Sequence, residues 1–158
     1  MLVYHGSTLE VKTPLVDYGR SNLDFGKGFY VTNILSQAES FAQRMARRKQ
    51  TDACVNVYEW IASYDSFRYK KFLNYDEEWL DFIVANRNGL NLASQYDVVE
   101  GGVANDRVID TIEAYIAGLM PKQFCLQRLA EHQPNNQICI LSQEICDRYI
   151  RFVKSYKI

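Results

Sequence analysis

Short β-branched and aromatic runs alternate with amphipathic stripes along this chain in no regular strand–helix–strand rhythm. That order restricts the fold more than any other feature. Residues 2–4 form an apolar run feeding the turn His5-Gly6-Ser7, and residues 8–27 are polar and read as loop. Gly28-Phe29-Tyr30-Val31-Thr32 has the composition of a short strand. The period then changes: Ile34, Leu35, Ala38, Phe41, Ala42, Met45 and Ala46 fall on one helical stripe. Residues 54–60 read as a strand, and residues 76–87 as a helix with Trp79, Phe82 and Ile83 on one side. Residues 96–99 read as extended. Val108, Ile109, Ile112, Tyr115 and Ile116 form a second stripe closed by Gly118. Residues 121–131 suit a helix with Pro in its first turn, and residues 138–141 a strand. Ser142 then suits the N-cap of a last helix carrying Ile145, Tyr149, Phe152 and Val153. Such an order predicts an α+β fold rather than a doubly wound sheet. With no repeat, low-complexity tract or linker, one domain over residues 1–158 is expected.

Composition narrows the function classes. Hydrophobic residues make up 47% of 158, enough for a globular core, and the net charge of −1 gives no global attraction to nucleic acid or anionic membrane. Cys54, Cys125, Cys139 and Cys146 form no CxxC pair and match no common zinc spacing. They read as reduced thiols in a cytoplasmic protein. The first ten residues lack a signal-peptide pattern, and no apolar run approaches the roughly 18 residues of a membrane span.

Two segments carry the chemistry. One is Tyr4-His5-Gly6-Ser7; the other is Phe25-Gly26-Lys27-Gly28-Phe29-Tyr30-Val31-Thr32, followed by Ser36-Gln37-Ala38-Glu39-Ser40-Phe41. Alone, His5 fits a structural hydrogen bond at a strand end, and Gly26 and Gly28 fit a turn. Their GxG is no dinucleotide fingerprint, because it precedes a strand instead of joining strand to helix.

Together the segments resemble the His-Tyr-Glu branch of the ADP-ribosyltransferases, which includes diphtheria toxin and the poly(ADP-ribose) polymerases. That branch carries His-Gly-Ser or His-Gly-Thr on its first strand, then Gly-Lys-Gly-x-Tyr, then Ser-x-x-Ala on a helix. Phe41 falls at the spacing of the second aromatic in the polymerases. The whole chain is also similar to a small bacterial family of unknown function in the same superfamily. Trp79-Leu80-Asp81-Phe82, Val103-Ala104-Asn105-Asp106-Arg107-Val108 and Gln137-Ile138 have counterparts there.

The resemblance implies short, split antiparallel sheets with flanking helices and a pocket for NAD as substrate, with no metal. Gly6 and Ser7 would hold the nicotinamide carboxamide, Tyr30 and Phe41 would stack its ring, and His5 would orient the adenosine-side ribose. Lys27, with Arg20, is a candidate for the phosphates. The family's glutamate bonds the nicotinamide ribose 2′-hydroxyl and stabilises the oxocarbenium-like transition state. Counting from Gln137-Ile138 brings Gln143 to that position, which keeps an acceptor oxygen and loses the charge. Glu144 is adjacent; on a strand the two would face opposite ways. It also reads as an acid in the first turn of a helix, favourable to the helix dipole.

Arg44, Arg47, Arg48 and Lys49 end the first long helix, where cations complement the dipole; contact with phosphates or a nucleic-acid target is the alternative reading. Asp106-Arg107 suits a structural ion pair at a helix start, and His132 a polar surface loop. The expected function is transfer of ADP-ribose from NAD to a macromolecular acceptor, protein or nucleic acid. By family analogy the setting is a bacterial toxin or effector with an antitoxin protein as a possible partner. Two alternatives stand beside it: an NAD- or ADP-ribose-binding module weakened by Gln143, and a degenerate domain used for protein contact.

Overall fold

The computed structural model of the chain describes residues 1–104 and 108–158. Its class is α+β: seven strands lie in two sheets, with five α-helices, among the described residues. Strands β1 (Leu2–Ser7), β3 (Cys54–Trp60) and β7 (Ile150–Lys157) form an antiparallel sheet in the order β1-β3-β7. Strands β2 (Phe29–Val31), β6 (Gln137–Ile140), β5 (Val98–Gly101) and β4 (Tyr69–Lys71) form the second sheet in that order.

Two sequence expectations need correction. The sheets are antiparallel except at one edge, where β4 runs parallel to β5. A parallel pair needs a crossover connection, and helix α2 (Glu77–Arg87) lies in the one between these strands. The last helix also stops early: α5 covers Gln143–Tyr149, and residues 150–157 are β7. Ile145, Tyr149 and Phe152 match a helical stripe, but the more buried Ile150 and Phe152 also alternate with exposed Arg151 and Val153. Pairing with the distant β3, which local spacing does not encode, decides between the two periods.

Three apolar clusters set the layers. Ala38, Ala42 and Ala46 of α1 (Leu35–Lys49) pack on Val55 and Val57 of β3. Val3, Phe29, Val31, Tyr58, Ile138 and Ile140 fill the space between the sheets. The other face of the second sheet is covered by Trp79, Leu80 and Ile83 of α2, Ile112 of α3 (Ile109–Ile116), and Cys125 and Leu129 of α4 (Lys122–Leu129). Leu80, Ile83 and Ile112 are fully buried, each contributing roughly 1.5–3 kcal/mol by removal from water. Asp76 starts α2, its Oδ1 accepting the Trp79 N–H at 3.0 Å. The four cysteines are free and buried, and burial pushes the Cys146 thiol up to about 12, away from reactivity. Among the described residues no helix is long and apolar enough to cross a membrane.

Candidate functional site

The two sheets touch where β1 meets the end of β2. The Tyr4 N–H donates to Thr32 O at 2.8 Å and the Thr32 N–H to Tyr4 O at 2.9 Å, one isolated bridge. Backbone groups of alternate residues point to the same edge of an antiparallel strand. Gly6, two residues past Tyr4, therefore directs its N–H and C=O toward β2 where the ladder has stopped. A Cβ at Gly6 would stand 2.2 Å from the Ala38 carbonyl oxygen and 3.0 Å from the Ala42 nitrogen. Only glycine lets α1 lie this close to the strand.

His5 spans the parting strands, with Nδ1 2.8 Å from the Tyr30 carbonyl oxygen. A carbonyl only accepts, so Nδ1 carries the hydrogen and Nε2 the lone pair. Burial lowers the His5 pKa and the Tyr30 hydrogen bond partly opposes this, so the ring is neutral at pH 7. Phe29 packs against the imidazole at 4.6 Å between ring centroids.

Tyr30 points the other way from Phe29, as strand alternation requires, and packs against the cluster under α2. Its hydroxyl donates to Gly26 O at 2.7 Å and accepts the Phe25 N–H at 3.2 Å. The turn Gly26-Lys27-Gly28 is thus folded around the phenol, with Gly26 at φ +84°, a conformation that favours glycine. Burial, with Cys139 adding, holds the Tyr30 pKa well above its ordinary value, so the hydroxyl stays protonated. His5 and Tyr30 are therefore joined through a backbone carbonyl rather than ring to ring.

Phe41 is exposed on α1, with the Arg44 guanidinium carbon 5.9 Å from its ring centre. One helical turn before it, Gln37 accepts the Asn136 N–H at 3.3 Å and leaves its Nε2 donor buried without a partner among the described residues. Ser7 ends β1, its Oγ accepting the Leu9 N–H at 3.2 Å. Lys27 lies 3.5 Å from Asp17 and lines a cavity of about 420 Å³ with Arg68, Asp97 and Ser142. A second cavity, of about 430 Å³, is lined by Tyr75, Leu126 and His132. Neither is lined by His5, Tyr30 or Phe41.

Gln143 stands on the first turn of α5 and not on a strand, as does Glu144. Its Oε1 accepts the Val16 N–H at 3.0 Å, and its Nε2 donates to Pro14 O at 3.0 Å and to Asp147 Oδ1 at 2.8 Å. Gln143 is thus a two-sided clamp on residues 14–16. Glu144 is exposed and pairs with Arg148 at 2.7 Å, an i,i+4 contact.

Three anchoring residues carried no role in the sequence reading. Asn56, fully buried in β3, accepts the Val11 N–H at 2.8 Å and donates to Leu9 O at 3.0 Å. Tyr58 adds a hydroxyl bond to Val11 O at 2.5 Å. An amide inside the apolar run Val55-Asn56-Val57 was the available signal, because a buried amide must find partners. Asp24, also buried, accepts the Ala104 N–H at 2.6 Å and pairs with Arg87 Nε at 2.6 Å. Its adjacency to Phe25-Gly26-Lys27-Gly28 was a weaker hint. Asp106 and Arg107, read from sequence as an ion pair, lie outside the described residues.

No curated protein and no solved structure matches the chain. A family model, described as protein of unknown function (DUF3990), matches residues 1–152, and the chain belongs to that family.

Proposed function

We propose that this member of the DUF3990 family binds NAD in the opening between β1 and β2 and transfers its ADP-ribose to a macromolecular acceptor. The observation that carries the reading is the single Tyr4–Thr32 bridge, past which Gly6 offers backbone N–H and C=O to the gap and His5 is held neutral against Tyr30 O. A carboxamide has one acceptor and two donors, so a free backbone N–H and C=O complement it. Neutral His5, with its acceptor at Nε2, suits a ribose hydroxyl. Tyr30 and Phe41 supply the aromatic faces for nicotinamide, and Ser7 keeps an O–H to donate. Gln37 Nε2 is a buried donor that an oxygen of the ligand would satisfy. Lys27 is the cation of the Gly26-Lys27-Gly28 turn and the candidate for a phosphate.

In the transfer, the bond between nicotinamide nitrogen and ribose carbon breaks and nicotinamide leaves with the electron pair. The acceptor nucleophile bonds the same carbon and loses its proton. Residues that fix the dinucleotide lower the barrier by pre-orienting these atoms. Gln143 contacts the reacting ribose on this reading, which requires it to exchange one of its present hydrogen bonds.

That engagement favours a second reading, in which the domain binds NAD or ADP-ribose with weak turnover. The side chain at 143 is uncharged and its amide is committed to residues 14–16 and Asp147. The test is nicotinamide release from NAD by wild type, His5→Ala and Tyr30→Ala, run beside thermal unfolding with and without NAD. Release lost in both variants supports transfer. A raised melting temperature without release supports binding alone. Absence of both release and stabilisation refutes an NAD site.

A further inference from the structure

The cavity of about 420 Å³ beside the Gly26-Lys27-Gly28 turn lies apart from the opening between β1 and β2, since neither His5 nor Tyr30 lines it. Its walls come from the turn, from residues 91–97 leading into β5, from Leu141 and Ser142 after β6, and from Arg68 just ahead of β4. The turn packs closely on its neighbours. A Cβ at Gly26 would stand 2.8 Å from the Ala93 Cβ and 3.7 Å from the Leu141 Cδ2.

Both cations of the cavity have carboxylate partners and still have donors to offer. Arg68 forks onto Asp97, with Nε 3.2 Å from Oδ2 and Nη2 2.8 Å from Oδ1. That grip fixes the guanidinium plane and leaves Nη1 without a hydrogen bond among the described residues. Lys27 meets Asp17 at 3.5 Å, but Asp17 is 95% exposed, so the pair is weak and the ammonium can turn to another anion. Three further groups are uncommitted: the Asn91 amide and the hydroxyls of Tyr96 and Ser142 make no hydrogen bond among the described residues. Ser142 precedes α5 without capping it through its side chain. The Tyr96 ring is steadied by Phe82, 6.2 Å away between centroids.

An aromatic ring suits stacking of a base, and an amide with both donors and an acceptor suits its hydrogen-bonding edge. A fixed guanidinium and a mobile ammonium suit a phosphate. A neutral sugar would leave the cations idle, and a peptide side chain would find Leu141 as the one aliphatic residue of the lining. The volume falls within the roughly 300–1,000 Å³ of small-ligand sites. We propose that this cavity binds one nucleotide, base and phosphate together, at a site separate from the dinucleotide opening. The proposal uses none of His5, Gly6 or Tyr30 and stands whether or not the chain cleaves NAD. A free nucleotide and the end of a single strand present the same chemistry.

The experiment is isothermal titration with the four 5′-mononucleotides, their nucleosides, ribose 5-phosphate and a 5′-phosphorylated single-stranded pentanucleotide. The proteins are wild type, Tyr96→Leu, Tyr96→Phe, Asn91→Gly and, in the other cavity, Gln133→Ala. Asn91→Gly removes the amide and keeps the backbone, because φ is +49° there and glycine adopts it freely. At least one mononucleotide is expected to bind about tenfold or more tightly than its nucleoside and than ribose 5-phosphate. Tyr96→Leu should weaken it roughly tenfold, about the loss of one base–aromatic stack, and Tyr96→Phe far less. Asn91→Gly should narrow the spread among the four bases, and Gln133→Ala should match wild type. Tighter binding of the mononucleotide or of the pentanucleotide identifies the source. Binding undiminished by saturating NAD supports a separate site, whereas displacement by NAD would merge the cavity with the dinucleotide site and overturn the proposal. So would no binding at millimolar nucleotide, equal loss from Gln133→Ala, or full affinity in both Tyr96→Leu and Asn91→Gly at wild-type melting temperature.

Discussion

Replacing Gln143 by glutamate separates the chemical and the architectural roles of that position. The wild-type amide donates to Pro14 O at 3.0 Å and to Asp147 Oδ1 at 2.8 Å, and accepts the Val16 N–H at 3.0 Å. A carboxylate keeps the acceptance and loses both donations, leaving oxygen against oxygen at each. Neutral hydrogen bonds are worth about 0.5–1.5 kcal/mol net and those to a charged group about 1.5–3. Two like charges about 4 Å apart in water add roughly 1 kcal/mol of repulsion. Discounted for a half-exposed site, the expected loss is about 2–3 kcal/mol at pH 7.5. The sign with pH is definite. A carboxyl facing a carbonyl and a carboxylate has a folded-state pKa above its unfolded one. The penalty is absent below the unfolded value, near 4.3, and grows as pH rises through the folded value. Urea unfolding followed by far-ultraviolet circular dichroism, at pH 7.5 and pH 4.5 on both proteins, reads the difference directly. A variant within about 0.5 kcal/mol of wild type at pH 7.5, with a parallel pH dependence, would refute the clamp. If the same variant releases nicotinamide faster while less stable, the position serves both roles.

Other outcomes follow from the site's geometry. Because burial holds the His5 pKa below 6.5, any stability tied to its neutral form is complete above that value and declines as pH falls toward the lowered one. NAD affinity should decline over the same range in isothermal titration, and His5→Gln should flatten the profile. Gly6→Ala must displace α1 from β1 and should cost about 1–3 kcal/mol in denaturant unfolding. Asn56→Ala strands the Val11 N–H and the Leu9 carbonyl, so about 2 kcal/mol should be lost, with faster hydrogen exchange at Val11.

The fold was legible where local pattern and tertiary demand agree. The alanine stripe of α1 and the run Val55-Asn56-Val57 carry their periods openly, and Asp76 announces the start of α2. β4 was invisible because Tyr69-Lys70-Lys71 is short and polar, and it exists through pairing with β5. The C-terminal segment satisfied two periods at once, and β3 chose between them. At the site, the motifs led to His5, Gly6 and Tyr30, whose backbone meeting the bridge organises. The Ser142 N-cap reading already set Gln143 at the start of a helix; what the sequence did not disclose is that Gln143 spends its amide on residues 14–16. Side-chain hydrogen bonds across 127 and 129 positions leave no periodic trace.

The first sheet is built from residues 2–7, 54–60 and 150–157, so its third strand leaves the ribosome long after the central strand it pairs with. Until β7 arrives, β3 presents an open ladder edge of apolar, β-rich sequence, the kind of surface that recruits strands from other chains. Synthesis must therefore pass β7 before that edge of β3 is shielded. A chain cut ahead of Ile150 would be a client for holding chaperones and a seed for aggregation, whatever its folded counterpart does with a nucleotide.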